Sequence, residues 1–326
     1  MTDDYNGRQQ EGFGRGQYTI RGGYRSSAAT AYLRPAKSRP NLDVVTGALA
    51  TRVLMQGTRA TGIKPVVDLP VGKNLQDHLA VIIFFERLNE SVFRHDMRFD
   101  RMAVSMLRAY FFGTGPGTVV PGGLHAFVKT RPELAVPDIE FMFRGAPADT
   151  HLWFPGIRPA YVDGYGIRPT LLHPDSRGEI LLRSSDPREA PRIAYNFFSA
   201  PNDLPRLREG FKRAREVAYQ APMDAYRGRE TSPGDAVKTD AEIDAFIRRT
   251  AITAHHPCGT CAMGTTPDTV TDPELRVRGV EHLRVVDASV MPDLVSAHIN
   301  ACVLMIAEKA SDMIRKRTPL PADNAA

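Results

Sequence analysis

Cysteine is scarce in this chain of 326 residues, which contains three cysteines, an odd number. Three cysteines in a chain of this length give no disulfide framework. We therefore expect a reducing compartment and a cytoplasmic protein. Long apolar runs are also missing, since no stretch approaches the ~20 residues of a membrane helix. The N-terminal residues lack the positive and then apolar pattern of a secretory signal. The sequence therefore predicts a protein without a transmembrane segment.

A strong charge of one sign is absent as well, because 42 basic and 37 acidic residues leave a net charge of +5. The basic residues are scattered, apart from a triplet at 315–317 near the end of a predicted helix, where cations are favourable. We therefore expect no nucleic-acid partner. The glycines at 12, 14 and 16 lack the spacing G-x-G-x-x-G and no strand precedes them, which excludes a dinucleotide-binding turn there.

Chain length and a hydrophobic content of 42% allow one large or two ordinary domains. The glycine-rich and polar composition of residues 6–31 predicts a loop followed by a short helix. Short segments in which β-branched or apolar residues alternate with polar ones, bounded by Pro and Gly, predict strands. Several of these strands would form an antiparallel sheet. The predicted strands are 41–45, 51–55, 139–143, 166–172, 179–183, 192–197 and 283–286.

Helical spacing of apolar residues predicts a helix over 98–112 that the glycine-rich segment from Gly113 ends. Two more helices are expected over 203–219 and 240–249, the second opened by a capping box of Thr239 and Glu242. A last helix over 300–315 should bury one apolar stripe, and residues 319–326 should be disordered. The members of the stripe are Val303, Ile306, Ala307, Ala310 and Ile314.

The chemistry concentrates in residues 255–264, which read His-His-Pro-Cys-Gly-Thr-Cys-Ala-Met-Gly, and in His298 beside Asn300. Imidazole titrates near neutral pH, so a converging pair of histidines can remove a proton and steady the resulting charge. His255, His256, Cys258 and Cys261 could instead bind zinc. A zinc cluster normally needs a second distant pair, and a deaminase needs an H-x-E element that this chain lacks. We therefore predict no metal, with the zinc module retained as a testable alternative.

The segment 256–264 resembles the His-Pro-x-Gly-Thr-x-x-Met-Gly motif of the glucose-methanol-choline (GMC) family of flavin-dependent oxidoreductases, matching every fixed position. Ala297-His298-Ile299-Asn300 and Gly72-x-Asn74-Leu75-x-Asp77-His78 resemble two further family motifs. By this resemblance, His256 faces the reacting carbon of the alcohol and acts as base or hydrogen-bond partner, and His298 helps to hold the alkoxide. His255 is then a less specific neighbour, and His78 is a structural residue. The alternative role of His298 is to cap the last helix.

The resemblance also implies an FAD site. Backbone around His298, Ile299 and Asn300 would contact the pyrimidine end of the flavin, where a helix N-terminus favours negative charge. Asp287 and Ala288 would lie along the ribityl and pyrophosphate part. Asn74 would line the cofactor, and Ala50 would lie near the adenine. A solvent-facing Asp at a strand end is the alternative interpretation of Asp287.

The departures from the family pattern are large. The strand and glycine-rich turn that meet the FAD pyrophosphate have no counterpart, and about forty residues are missing between Ile63 and Lys64. We therefore interpret the chain as N-terminally truncated and internally deleted. Another chain that supplies the missing half of the FAD-binding domain is one partner to consider.

Together these features predict an α+β protein, in which the remnant of a doubly wound FAD-binding domain comprises residues 1–79 and 253–318. An antiparallel-sheet substrate domain covered by helices comprises residues 80–252. The predicted function is oxidation of a primary alcohol, choline-like or aliphatic, to an aldehyde by hydride transfer to FAD. The alternative is a noncatalytic remnant of such an enzyme. The electron acceptor and the oligomeric state stay open.

Overall fold

A computed structural model of the chain describes residues 1–2, 4–7, 9–44, 46, 67–118, 122–184, 186 and 188–318. The predicted strand 51–55, Ala50, the junction at Ile63 and the tail 319–326 lie outside these residues. The strands are β1 (Gly12–Arg15), β2 (Ile20–Arg21), β3 (Tyr24–Arg25), β4 (Leu79–Ala80), β5 (Ile83–Arg87), β6 (Leu124–Val128), β7 (Ile139–Arg144), β8 (Gly164–Leu171), β9 (Glu179–Leu181), β10 (Arg192–Ala194), β11 (Arg227–Ser232) and β12 (Ile252–Thr253).

Helices alternate with these strands, which makes the chain a mixed α+β protein, as predicted. They are α1 (Arg34–Ala36, after a π-helical turn at Ala29–Leu33), α2 (Val92–Asp96), α3 (Phe99–Phe112), α4 (Asp203–Ala218), α5 (Asp240–Thr250) and α6 (Asn300–Ile314). Short 3₁₀ turns lie at Pro116–Thr118, Ala221–Met223 and Ala288–Val290. Among the described residues, none of the helices combines the length and the apolar character needed to cross a membrane.

The chain divides into two compact units. Unit 1 comprises Met1–Ala48, Ala80–Thr170 and Arg206–Ala251, and unit 2 comprises Leu49–Leu79, Leu171–Pro205 and Ile252–Ala326. The chain passes between the units near residues 79 and 251, among other points. Residues 1–48 lie in unit 1 and residues 171–205 lie in unit 2.

The core of unit 1 is a largely antiparallel sheet. β1 pairs with β6, β6 with β7, β8 with β5, and β5 with β11, while β7 lies beside β8. The alternating side chains of these strands that face the core are fully buried, since the apolar face of a sheet must pack against another layer. They include Ile83, Phe85, Phe127, Phe141 and Ile167.

Helices α4 and α5 cover this sheet in unit 1. Leu207, Phe211, Ala214 and Ala218 recur at helical spacing on α4 and are buried. A Cβ atom at Gly210 would lie 2.8 Å from the Ile139 side chain, so glycine permits the close approach of α4 to β7. The aromatic rings of Phe211 and Phe246 meet edge-on at 5.9 Å, which joins α4 to α5.

Unit 2 is built around α6 and the loops that precede it. Cys258, Val290, Met291, Leu294, Leu275, Ile306 and Ala310 form its buried apolar cluster. β9 and β10 form an antiparallel hairpin in the same unit. The motif segment and α6 thus share one hydrophobic core, and this fixes the backbone on which the candidate site residues lie.

Most of the predicted helices are confirmed, and their local signals explain why. Helix α3 ends at Gly113, whose φ of 63° is the left-handed conformation that glycine adopts at little cost. The capping box of α5 is present, with Thr239 accepting from the Glu242 amide and the Glu242 carboxylate accepting from the Thr239 amide. The predicted strands 139–143, 166–172, 179–183 and 192–197 correspond to β7, β8, β9 and β10.

Several sequence-based expectations are wrong. The opening segment contains β1, β2 and β3 besides its helix, because pairing with the distant β6 and with each other decides its structure. Residues 41–44 form a turn and irregular chain rather than a strand, and 283–286 contributes only an isolated bridge at Arg284. On α6, Ile306 and Ala310 are buried and Val303 packs on the cluster, but Ala307 and Ile314 are exposed.

Candidate active site

The motif loop 254–264 lies against the segment 72–78 within unit 2. The backbones of Gln76 and Cys258 exchange two hydrogen bonds, of 3.1 and 2.9 Å. At Gly259, φ is +90°, and a Cβ atom there would overlap the carbonyl oxygen of Asn74. Glycine in the motif is therefore required by both conformation and space, and it allows the two segments to approach closely.

Asp77 fastens the start of the motif loop. Its carboxylate is 1% exposed and accepts from the backbone N–H of His256 at 2.9 Å and from the hydroxyl of Thr253. Burial raises the pKa of the Asp77 carboxyl, while these hydrogen bonds oppose the shift. A buried acceptor with its donors in place holds the backbone of His256 in position.

The structure brings the two predicted histidines together. The rings of His256 and His298 have centroids 5.2 Å apart and planes at 89°, and both side chains are half-buried. His255 is exposed, with a positive φ of 65°. The arrangement places two imidazoles where one can remove a proton while the other binds the resulting anion.

His78 is a third histidine in contact with this pair. Its side chain is 1% exposed, its Nδ1 lies 2.9 Å from His256 Nδ1, and its Nε2 lies 3.0 Å from the carbonyl oxygen of Val295. Sequence reasoning treated His78 as structural and missed this contact. Its position directly after Asp77 in a family motif was the only signal available.

Helix α6 begins next to His298. Its N-cap residue is Ile299, whose apolar side chain makes no capping hydrogen bond. The first N–H groups of a helix have no intrahelical acceptor, and with the helix dipole they favour a negative charge at that end.

Asp287 and Ala288 lie beside the motif loop. The exposed Asp287 accepts from the Ser289 amide at 2.8 Å and opens the 3₁₀ turn at Ala288–Val290. The backbone of this turn accepts from Gly259, Cys261 and Met263. This turn therefore lies against the motif loop, although the strand expected before Asp287 is absent.

Asn74 joins three parts of unit 2. Its backbone is left-handed, with φ of 62°, and its amide donates to the carbonyl of Pro292 at 3.1 Å and to that of Gly259 at 3.4 Å. Its side-chain oxygen accepts from Arg177 at 3.1 Å, and Arg177 pairs with Asp293 at 3.0 Å. The Asn74 side chain is therefore engaged by the protein itself.

The zinc alternative depends on thiolates. Burial raises the pKa of the Cys258 thiol to about 12, and it also raises that of Cys261. Burial therefore disfavours the deprotonation of both thiols that zinc binding requires. Among the described residues, these cysteines and the histidines of the motif do not converge into a set of metal ligands.

Comparison with known proteins adds the family. Two family models described as GMC oxidoreductase match residues 174–307 and residues 1–68, which is more than half of the chain. The chain belongs to the GMC oxidoreductase family. The oxygen-dependent choline dehydrogenase of Pseudomonas putida is 37% identical over 375 aligned positions, covering 99% of this chain and 66% of that protein. The enzyme of the same name from Brucella suis is 36% identical.

The GMC relatives are longer than this chain, which spans 66% of the length of the Pseudomonas protein. The alignment has 375 positions although the chain has 326 residues, so the relatives contain positions without a counterpart here, as an internal deletion requires. Among solved structures, pyridoxine 4-oxidase from Mesorbium loti has a TM-score of 0.75 at 26% identity, covering 92% of this chain and 64% of that one. A formate oxidase from Aspergillus oryzae has a TM-score of 0.82 at 22% identity and shares the fold.

FAD is the cofactor of this family, and unit 2 has features that suit its ring system. The N-terminus of α6 next to His298 has an apolar N-cap residue, Ile299, and can offer backbone N–H donors to an electron-rich pyrimidine. A dinucleotide pyrophosphate is usually bound by a strand, a glycine-rich turn and a helix in succession, and the described residues contain no such unit. The N-terminal glycines do not form one, since Gly12 and Gly14 lie within β1. The part of the chain that the structure describes thus suits the flavin ring and lacks the turn that would hold the phosphates.

Proposed function

We propose that this chain acts as an FAD-dependent oxidoreductase of the choline dehydrogenase type, which oxidises a primary alcohol to an aldehyde. The observation that carries the proposal is the contact between the rings of His256 and His298 at 5.2 Å within one unit. Relatives named as choline dehydrogenases, at 37% identity over 99% of the chain, support a choline-like or aliphatic alcohol as the substrate.

In this proposal, His256 removes the hydroxyl proton of the substrate and His298 donates a hydrogen bond to the developing alkoxide. Imidazole suits both tasks because its ordinary pKa lies near the working pH. When bound, FAD supplies the acceptor for the hydride from the substrate carbon. Asp77 contributes by fixing the backbone of His256, so that the base is held in place before the substrate arrives.

Cofactor contacts form the second part of the proposal. Backbone at His298, Ile299 and Asn300 binds the pyrimidine end of the flavin at the start of α6, where the helix dipole stabilises negative charge. Asp287 and Ala288 run along the ribityl part. Asn74 keeps the lining in place through its amide, and Ala50, outside the described residues, stays assigned to the adenine side only by the family resemblance.

We further assign residues 1–79 and 253–318 to FAD binding and 80–252 to the substrate domain, and we place the protein in the cytoplasm. Three free cysteines support a reducing location. Because the relatives are named oxygen-dependent choline dehydrogenases, oxygen is the first electron acceptor to test.

The test is a titration of the full chain with FAD, followed by anaerobic addition of choline and of a series of aliphatic primary alcohols. The proposal predicts bound flavin and its reduction by at least one of these alcohols. A folded chain that gains no flavin supports the noncatalytic remnant instead. If flavin binds only when a second chain carrying a glycine-rich FAD turn is added, the partner hypothesis is supported and activity of this chain alone is refuted.

A further inference from the structure

His78 has both ring nitrogens committed to hydrogen bonds inside unit 2. Nε2 lies 3.0 Å from the carbonyl oxygen of Val295, and Nδ1 lies 2.9 Å from Nδ1 of His256. The rings of His78 and His256 meet at 90°, with centroids 5.1 Å apart. The two contacts form a chain that runs from a backbone carbonyl to the ring of the proposed base.

The direction of this chain follows from its acceptor at Val295. A carbonyl oxygen can only accept, so Nε2 of His78 must carry the hydrogen. The His78 ring is 1% exposed, and a buried imidazolium would be costly, so the ring is neutral. The neighbouring Asp77 carboxylate receives the His256 backbone N–H and the Thr253 hydroxyl. A neutral imidazole has one N–H, so Nδ1 of His78 has a lone pair and accepts.

Nδ1 of His256 must then donate to His78. If Nδ1 of His256 were bare, two lone pairs would face each other across 2.9 Å, which is repulsive. A neutral His256 therefore holds its proton on Nδ1, and Nε2 is its basic nitrogen. The tautomer of the proposed base is thus set by a residue that does not contact the reacting atoms.

We propose that His78 is a positioning residue that fixes His256 in the Nδ1–H tautomer and so makes Nε2 the nitrogen that removes the substrate proton. The catalytic meaning of this inference rests on the proposed function of His256. The tautomer itself is a property of the chain without any cofactor. In proteases, the group that orients a catalytic histidine acts in the same way.

The direct test is ¹⁵N NMR of the full chain labelled at histidine, with the His256 signals assigned by comparison with His256→Asn. The inference predicts that Nδ1 of His256 resonates as a protonated nitrogen and Nε2 as an unprotonated one when the ring is neutral. A neutral His256 with its hydrogen mainly on Nε2 would overturn the inference, whatever any variant shows.

Two variants of His78 test its role in the tautomer. His78→Leu removes both hydrogen bonds, and we expect His256 to become a mixture of tautomers. His78→Gln can donate to Val295 through its amide nitrogen and accept from His256 through its oxygen, and it should restore the Nδ1–H form. An unchanged tautomer in a folded His78→Leu would contradict the proposal, with folding checked by circular dichroism.

His173→Leu is the matched control. Nε2 of His173 lies 2.9 Å from the hydroxyl of Ser296, the residue that follows Val295. Both residues belong to unit 2. This substitution removes the hydrogen bond to Ser296 and leaves the His78 ring in place, so the tautomer of His256 should stay unchanged. An equal loss of tautomer preference in His173→Leu and His78→Leu would show general loosening of the loop and overturn the specific role of His78.

The NMR result also separates this inference from the proposed function. A chain with the expected tautomer that fails to oxidise any alcohol refutes the function and keeps the positioning role of His78. If the chain is active, kcat for His78→Leu should fall at least about tenfold with little change in KM, since the lost interaction orients the base and binds no substrate. A kcat equal to that of the unaltered chain would contradict the inference.

Discussion

Replacing Gly259 by alanine tests how the motif loop is held against the segment 72–78. The backbone at Gly259 has φ of +90°, which side-chain-bearing residues rarely adopt. An added Cβ atom would overlap the carbonyl oxygen of Asn74 and lie 3.0 Å from the Asn74 amide nitrogen and 3.3 Å from that of Gln76. The nearest obstacle is backbone, so rotation of a side chain cannot relieve it.

The expected loss has two parts. A left-handed conformation costs a non-glycine residue about 1–2 kcal/mol. Displacing the backbone of Asn74 adds an overpacking cost of about 1–3 kcal/mol. The free energy of unfolding of unit 2 should therefore fall by about 2–5 kcal/mol, a large share of the stability of an ordinary domain.

The assay is urea unfolding, with unit 2 followed by the alkylation of Cys258, which is buried beside Gly259. The lone tryptophan, Trp153, belongs to unit 1 and reports on that unit separately. Gly279→Ala is the matched control in unit 2, since its φ is +68° but the nearest atom to a new Cβ is a Val67 methyl at 3.1 Å. We expect about 1–2 kcal/mol from this control. Equal losses in the two variants would refute the argument from backbone overlap.

Three further predictions concern local interactions. Thr239→Ala should lower stability by about 1 kcal/mol in urea unfolding because it removes the cap of α5, and Thr239→Ser should retain it. Glu230 is buried and paired with Arg215 at 2.6 Å, so Glu230→Ala should cost about 3–5 kcal/mol in the same assay, and a loss below about 1 kcal/mol would contradict this. Since burial raises the pKa of the Cys258 thiol to about 12, alkylation of the native protein mapped by mass spectrometry should stay slow at Cys258 up to about pH 10 and become fast on unfolding. Rapid native alkylation near neutral pH would contradict that pKa.

The elements that sequence reasoning predicted well depend on nearby residues. The box of Thr239 and Glu242 opens α5, and Gly113 ends α3, because both signals act within a few positions. The strands β5, β6 and β11 were missed. They are short and depend on partners far along the chain, as β5 does on β8 and β11.

The candidate site divides in the same way. His256 and His298 were found because each lies in a local motif. The contact of His78 with His256 joins residues 178 positions apart, and no local pattern encodes it. On α6, spacing alone could not tell which apolar side chains would reach the cluster, so Ile314 was expected inside although it is 57% exposed.

The central claim is that His256 is the base of an alcohol-oxidising flavin site. The most direct measurement is the rate of anaerobic flavin reduction by choline or the best aliphatic alcohol, compared between the FAD-loaded chain, His256→Ala and His255→Asn. We predict that His256→Ala retains its FAD but loses at least about 100-fold in rate, the usual size of a general-base effect, while the exposed His255 can be replaced with little change. An undiminished rate in His256→Ala with FAD bound would contradict the account.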